Sequence, residues 1–240
     1  MEREPEHMER KPYHPVVLSI LRQRRARVLL DAPCGTGWLG QAVAARQLDV
    51  DTLDGLGLWE FPADELPYRE VREHDLDTPL PAFDRVYDGV VCGEAIHLMS
   101  NPGMLLSGFK RALKPGGVLV ITTPNTWYLR SRWQFLMRGF HSGFSPMVGK
   151  RRGEYITYVP WSFPQLHLFL SHCGFRDVTL HDVDEPKPKR AVERLLALPS
   201  HLYCRGKRRA ASSSDEIEYW RQAGNPQSLY GRWLVVSARS

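Results

Sequence analysis

Cysteine is scarce in this chain of 240 residues: Cys34, Cys92, Cys173 and Cys204 are the full set. None stands in a C-x-x-C pair or at another metal-ligand spacing, which argues against a cysteine-held metal and for reduced thiols of a cytoplasmic protein. Long apolar runs are also missing. No segment approaches the ~18 apolar residues of a membrane span. Met1 to Lys11 is charged rather than apolar, so it does not read as a secretory signal. There is no internal repeat. Charge is not extreme either, at a formal net +5, while 42% of the residues are hydrophobic. That is enough to bury one substantial core, as expected of a single α/β domain. Residues 1–12 read as a flexible tail and 13–240 as the domain.

What is present is concentrated in Val28-Leu29-Leu30-Asp31-Ala32-Pro33-Cys34-Gly35-Thr36-Gly37-Trp38-Leu39-Gly40. Val28 to Leu30 is apolar without alternation, as in a central parallel strand covered on both faces. Gly35 and Gly37 allow a sharp turn with no side chain between backbone and ligand. Leu39, Ala42 and Val43 then recur at helical spacing, so the turn leads into a helix N-terminus. The pattern predicts a nucleotide-like ligand.

Gly35 to Gly40 satisfies G-x-G-x-x-G, which alone would point to NAD or FAD. Asp31 argues otherwise, because a carboxylate at the mouth of the loop would repel a pyrophosphate. A ligand with an ammonium, a sulfonium and no phosphate would tolerate it. Asp31-Ala32-Pro33-Cys34-Gly35-Thr36-Gly37 resembles the D-x-G-x-G-x-G motif of class I S-adenosylmethionine-dependent methyltransferases, with Pro33 where the family usually has its first glycine. The resemblance implies a Rossmann-like, seven-stranded, mostly parallel sheet with helices on both faces and an antiparallel last strand. It also implies S-adenosylmethionine as cofactor and S-adenosylhomocysteine as product. With no three-cysteine cluster, radical use of that cofactor is disfavoured.

Four further segments fall where that family would have them. Val50 to Gly55 resembles a second strand ending in Asp54 and Gly55, the acid about 20 residues past the glycines, in position to accept from the ribose hydroxyls. Val71 to Leu76 resembles the third strand, with Asp75 and Leu76 at the adenine. Tyr87 to Glu94 resembles the fourth strand, with Cys92 and Gly93 passing the methionine moiety. Lys114 to Asn125 looks like a helix stop, a glycine turn and a fifth strand. The resemblance thus implies cofactor contacts at Asp31, Ala32, Pro33, Cys34, Gly35, Gly37, Asp54, Gly55, Asp75, Leu76, Cys92 and Gly93.

Outside those segments, helices are expected at Pro15 to Arg25, Gly103 to Lys114, Pro160 to Cys173 and Ala191 to Leu198, and strands at Phe175 to His181 and Arg232 to Ala238. In this fold the leading helix often covers the cofactor. Residues 125–160 interleave aromatics (Trp127, Tyr128, Trp133, Phe144, Tyr155, Tyr158) with arginines, as a substrate-covering insertion would. Residues 183–229 form a basic insertion with a flexible run at Arg209 to Ser214.

Methyl transfer needs alignment more than side-chain chemistry. A general base for a hydroxyl acceptor would come from His97, with His141, Glu154 and Tyr155 as further candidates. His97 is followed by Leu98, whereas the ubiquinone-biosynthesis branch of these enzymes has adjacent Glu and His, so a metal held there is not expected. The Asp/Asn-Pro-Pro-Tyr/Phe motif of amino-directed methyltransferases is also missing. The expected acceptor is therefore a small, partly apolar molecule, aromatic or acidic, methylated on oxygen or carbon. Two alternatives stand beside it. One is an enzyme acting on RNA or protein through the basic insertion, with nucleic acid the less favoured partner. The other is an NAD-dependent oxidoreductase using Tyr203 and Lys207, although Gly206 between them disfavours the helix that pair would need.

Overall fold

The computed structural model describes residues 11–62, 64–144, 159–187 and 191–240. The expected tail therefore lies almost wholly outside the described residues, as do Glu154, Tyr155 and Tyr158. In chain order the elements are α1 (His14–Gln23), β1 (Val28–Asp31), α2 (Trp38–Ala44), β2 (Thr52–Leu56), β3 (Glu70–Arg72), β4 (Tyr87–Gly93), α3 (Pro102–Ala112), β5 (Leu113–Pro124) and α4 (Leu129–Arg138). There follow α5 (Phe163–His172), β6 (Arg176–His181), α6 (Ala191–Ala210), α7 (Ser214–Ala223), α8 (Pro226–Tyr230) and β7 (Trp233–Arg239).

The seven strands form one sheet in the order β3-β2-β1-β4-β5-β7-β6. β1 pairs in parallel with both β2 and β4, and β7 runs antiparallel to β5 and β6. The expected Rossmann-like sheet is thus present, and its strand order reverses at β1. In such sheets the ligand crevice opens beyond the carboxyl ends of the strands on either side of that reversal.

Alternation along β1 divides the core. Leu30 joins one buried cluster with Val90, Leu106, Phe109 and Leu166, under α3 and α5. Leu29 joins the other with Val17, Leu21, Leu39 and Val91, under α1 and α2. Each fully buried leucine contributes roughly 1.5–3 kcal/mol relative to exposure, so this apolar strand is fixed from both sides. Asn101 caps α3 by accepting from the Met104 amide at 3.1 Å, and Ser162 with Gln165 forms a capping box at the start of α5.

Between β6 and β7 the structure differs from the sequence expectation. The helix expected at Ala191 to Leu198 continues to Ala210, across Pro199 and Gly206. The run expected to be flexible holds the end of α6 and the start of α7 with only 211–213 between them, and Ser213 caps α7 through the Glu216 amide at 3.1 Å. Polar side chains lock this insertion to the sheet. Gln222 accepts from the Leu180 amide at 2.6 Å, Gln227 from the Val183 amide at 2.9 Å, and buried Asn125 donates to the Ser228 and Gly231 carbonyls at 2.8 Å each.

Candidate active site

The loop after β1 is tied down by its own backbone. The amides of Cys34 and Gly35 donate to the Leu56 and Leu58 carbonyls at 3.1 Å each, and the Glu60 amide returns a bond to Gly35 at 2.9 Å. The glycines have distinct jobs. At Gly37 (φ 72°) a side chain would run into Phe61 Cδ1 at 2.8 Å, whereas at Gly35 (φ 45°) an added Cβ would meet nothing within 4 Å. Gly35 therefore presents bare backbone to open space.

Asp31 ends β1 and is fully buried. The Tyr68 hydroxyl donates to its Oδ2 at 2.7 Å, and its Oδ1 has no partner among the described residues. Burial pushes its carboxyl up to about 7, the tyrosine bond opposing the shift. An unpaired carboxylate oxygen in an apolar surround is costly. A cation in the crevice would relieve that cost.

Asp54 corrects the sequence expectation. It lies within β2, in register with Leu30, rather than at the strand's end. Arg69 Nε and Nη2 grip its two oxygens at 2.8 Å each, and the buried Tyr87 hydroxyl donates to Oδ2 at 2.8 Å. Both oxygens are engaged by the protein, which makes Asp54 an internal anchor of the sheet. Gly55 beside it is buried and packs closely on Cys34, leaving a Cβ only 3.2 Å from that side chain.

Other expected residues do meet. A Cβ on Gly57 (φ 109°) would stand 3.2 Å from Pro33 and 3.9 Å from Leu76, so these three converge at the end of β2. Ala32 is buried, its amide bonded to the Val91 carbonyl at 2.9 Å. Asp75 lies beyond the short β3 and uses Oδ1 to accept from the Asp77 amide at 2.9 Å. Cys34 and Cys92 are buried, and burial pushes each thiol up to about 12, which leaves them unreactive.

Contacts above the loop were not foreseen from the sequence. Tyr13, just before α1, donates to the Glu94 carboxylate beyond β4. The next residue, His14, stacks on Trp38 with ring centroids 4.1 Å apart and planes 3° apart. The start of α1 is thereby pinned across the crevice. An aromatic pair at the very start of an apolar helix was the available signal.

On the other side of β4, His97 is buried, with Nδ1 3.2 Å from Thr123 Oγ1 and its ring 5.9 Å from that of Phe144. Burial pushes the imidazole down to about 4, so it is neutral near pH 7. His141 contacts Ser131 Oγ at 3.1 Å and stacks on Phe135 at 4.5 Å, which gives it a packing role. Arg132 on α4 donates through Nη1 to Ser200 at 2.7 Å and lies over the Trp127 ring at 5.9 Å. Its Nε and Nη2 are buried without a partner among the described residues.

A family model described as a methyltransferase domain matches residues 6–195. The chain belongs to the class I S-adenosylmethionine-dependent methyltransferases. It is 24% identical over 207 residues to a malonyl-[acyl-carrier protein] O-methyltransferase of Halalkalibacterium halodurans, covering 79% of this chain and 72% of that protein. It is 28% identical over 105 residues to a ubiquinone biosynthesis O-methyltransferase of Dechloromonas aromatica, where it spans 44% of the relative's length. In fold it resembles Burkholderia thailandensis 1,6-didemethyltoxoflavin-N1-methyltransferase, solved with S-adenosylhomocysteine (TM-score 0.56, 16% identity, 97% of this chain and 79% of that one). It also resembles the [4+2]-cyclase SpnF (TM-score 0.53, 20% identity, 97% and 85%).

The cofactor of this methyltransferase is S-adenosylmethionine. Its residues fit that group: the orphaned Asp31 oxygen suits a cation, and the open backbone of Gly35 leaves room beside it. The dinucleotide reading loses its catalytic pair as well. Tyr203 and Lys207 are exposed on α6, engaged with each other as ring and cation at 5.8 Å.

Proposed function

We propose that this methyltransferase moves a methyl group to an oxygen or carbon atom of a small, partly apolar acceptor, with His97 taking the acceptor's proton. The reading rests on one observation: a buried, neutral imidazole stands beyond β4, between Thr123 at the end of β5 and the aromatic ring of Phe144. Thr123 engages Nδ1, which leaves Nε2 to meet the acceptor. A neutral imidazole can accept a hydroxyl proton as the oxygen–carbon bond forms.

Asp31, the Gly35 backbone, Pro33, Gly57, Leu76, Cys92 and Gly93 would hold the cofactor, Asp31 by charge and the others by shape. When bound, S-adenosylmethionine supplies a methyl already activated on a cationic sulfur. What the protein adds is alignment and exclusion of water. Arg132 supports an acceptor with an acidic group, since its Nε and Nη2, unpaired among the described residues, suit a carboxylate or phosphate. That these two relatives are named O-methyltransferases favours oxygen.

The test is a turnover screen with labelled S-adenosylmethionine against phenols, carboxylic acids, acyl carriers and RNA. We expect product with a phenol or acid, and loss of about 10²–10⁴-fold in kcat for His97→Gln with cofactor affinity retained. Turnover on RNA alone, or a His97→Gln enzyme of full activity, would overturn the reading.

A further inference from the structure

We propose that α4 and α6 form a docking surface for a bilayer rich in anionic headgroups. On α4, Trp133, Leu136 and Met137 follow the i, i+3, i+4 spacing of an inward apolar stripe, with Phe140 at i+7 just past its end. Yet they face solvent, Trp133 at 62%, Leu136 at 74% and Met137 at 67% exposure. On α6, Val192, Leu195, Leu196, Leu202 and Tyr203 repeat the pattern, Leu195 at 69% exposure. The face of α6 that packs inward is a different one, marked by buried Ala197 and Cys204. The two helices touch through Arg132 and Ser200 at 2.7 Å, so neighbouring elements carry exposed stripes. Soluble proteins seldom leave apolar area of this kind uncovered without a partner.

Charge identifies the partner. α4 exposes Arg130 and Arg138 and carries no carboxylate, Arg132 being turned inward onto Ser200. α6 carries Arg194, Arg205, Lys207, Arg208 and Arg209 against the single acid Glu193. Apolar stripes flanked by cations are the composition of helices that lie in the plane of a membrane interface. A second copy of this chain on the same face would set these cations against their own counterparts. RNA would use the cations but leave the leucines in water.

The full-length protein is sedimented with vesicles of phosphatidylcholine alone, or with about 30 mol% phosphatidylglycerol. We expect at least about tenfold stronger partition onto the anionic vesicles, falling as salt rises. Leu136→Glu with Met137→Glu, and separately Leu195→Glu with Leu196→Glu, should each lower it about tenfold. Calorimetry with S-adenosylhomocysteine would show both variants folded and still binding. Partition that is absent from both vesicle types, or unchanged in both variants, overturns the proposal. So does sedimentation equilibrium showing a lipid-free dimer that these substitutions dissociate, or tight RNA binding without vesicle binding.

Discussion

Tyr68 holds one oxygen of Asp31 at 2.7 Å, and the other has no partner among the described residues, in a fully buried position at the end of β1. The tyrosine comes from the connection between β2 and β3, so a loop distant in sequence orients this acid.

Cofactor affinity should therefore depend on the ionisation of Asp31. The carboxyl sits at about 7, and a cationic ligand binds only its charged form. As pH falls below 7 the protonated fraction grows, and the Kd for S-adenosylhomocysteine should rise about tenfold per pH unit. Asp31→Asn should bind about tenfold or more weakly at pH 8 and lose this dependence. Isothermal titration at several pH values, in buffers of different ionisation enthalpy, checks both. An affinity flat between pH 6 and 8 in the native protein would remove Asp31 from the site.

Asp54 should behave as a structural residue. Asp54→Ala strips the partner from the buried Tyr87 hydroxyl and breaks the two-pronged grip of Arg69. Leaving that hydroxyl unsatisfied costs about 1–3 kcal/mol, and the half-exposed Arg69 adds less. Urea unfolding should show the loss, while folded Asp54→Ala protein binds S-adenosylhomocysteine within about twofold of native affinity. A selective loss of binding with unchanged stability would restore the ribose role.

The contrast between these two acids marks what a sequence can reveal. Val28 to Leu30, Gly35 and Gly37 were legible because an apolar run and paired glycines encode a covered strand and a bare turn locally. Spacing past the glycines put Asp54 on the right strand. Only the pairing with Leu30 shows that it falls short of the strand's end. The partnership of Asp31 with Tyr68 spans 37 residues and leaves no periodic trace. The insertion before β7 was misread for another reason. Its basic, serine-containing composition looks like loop, whereas Ser213 with Asp215 and Glu216, and Asn225 before Pro226, are helix-start signals of ordinary strength. Gly206 costs about 1 kcal/mol in a helix, too little to break one twenty residues long.

Acid should destabilise this protein well above the carboxylate range. Burial depresses both His97 and His181 to about 4, below the 6.5 of an unfolded histidine. Between those values the unfolded chain binds more protons at each histidine, so their share of the stability is complete above pH 6.5 and drains away toward pH 4, while Asp31, raised to about 7, offsets one of them over the same interval. Each histidine accounts for about 3 kcal/mol over that interval. His141 and His167 are lowered by burial too and act in the same direction. Denaturant midpoints measured from pH 7 to 4 should fall steadily. His181→Gln should flatten the slope near pH 5 while sparing methyl transfer. A midpoint constant down to pH 4.5 would contradict the buried, neutral state on which the role of His97 depends.

The bond from Tyr13 to Glu94 should govern how fast the cofactor leaves. It ties the start of α1 to the end of β4, and His14 on Trp38 ties the same turn to the glycine loop. Tyr13 is also wedged edge-on against Trp233 at 5.1 Å, so Tyr13→Phe keeps the packing and removes only the hydroxyl. A single hydrogen bond contributes about 0.5–1.5 kcal/mol, or roughly 2- to 12-fold. Release of S-adenosylhomocysteine in stopped-flow displacement should quicken by about that factor, with association nearly unchanged, because most such differences appear in the off-rate. Tyr13→Ala, which also empties the wedge, should go further and lower the melting temperature. Equal release rates in native and Tyr13→Phe protein would show that α1 covers the crevice without gating it.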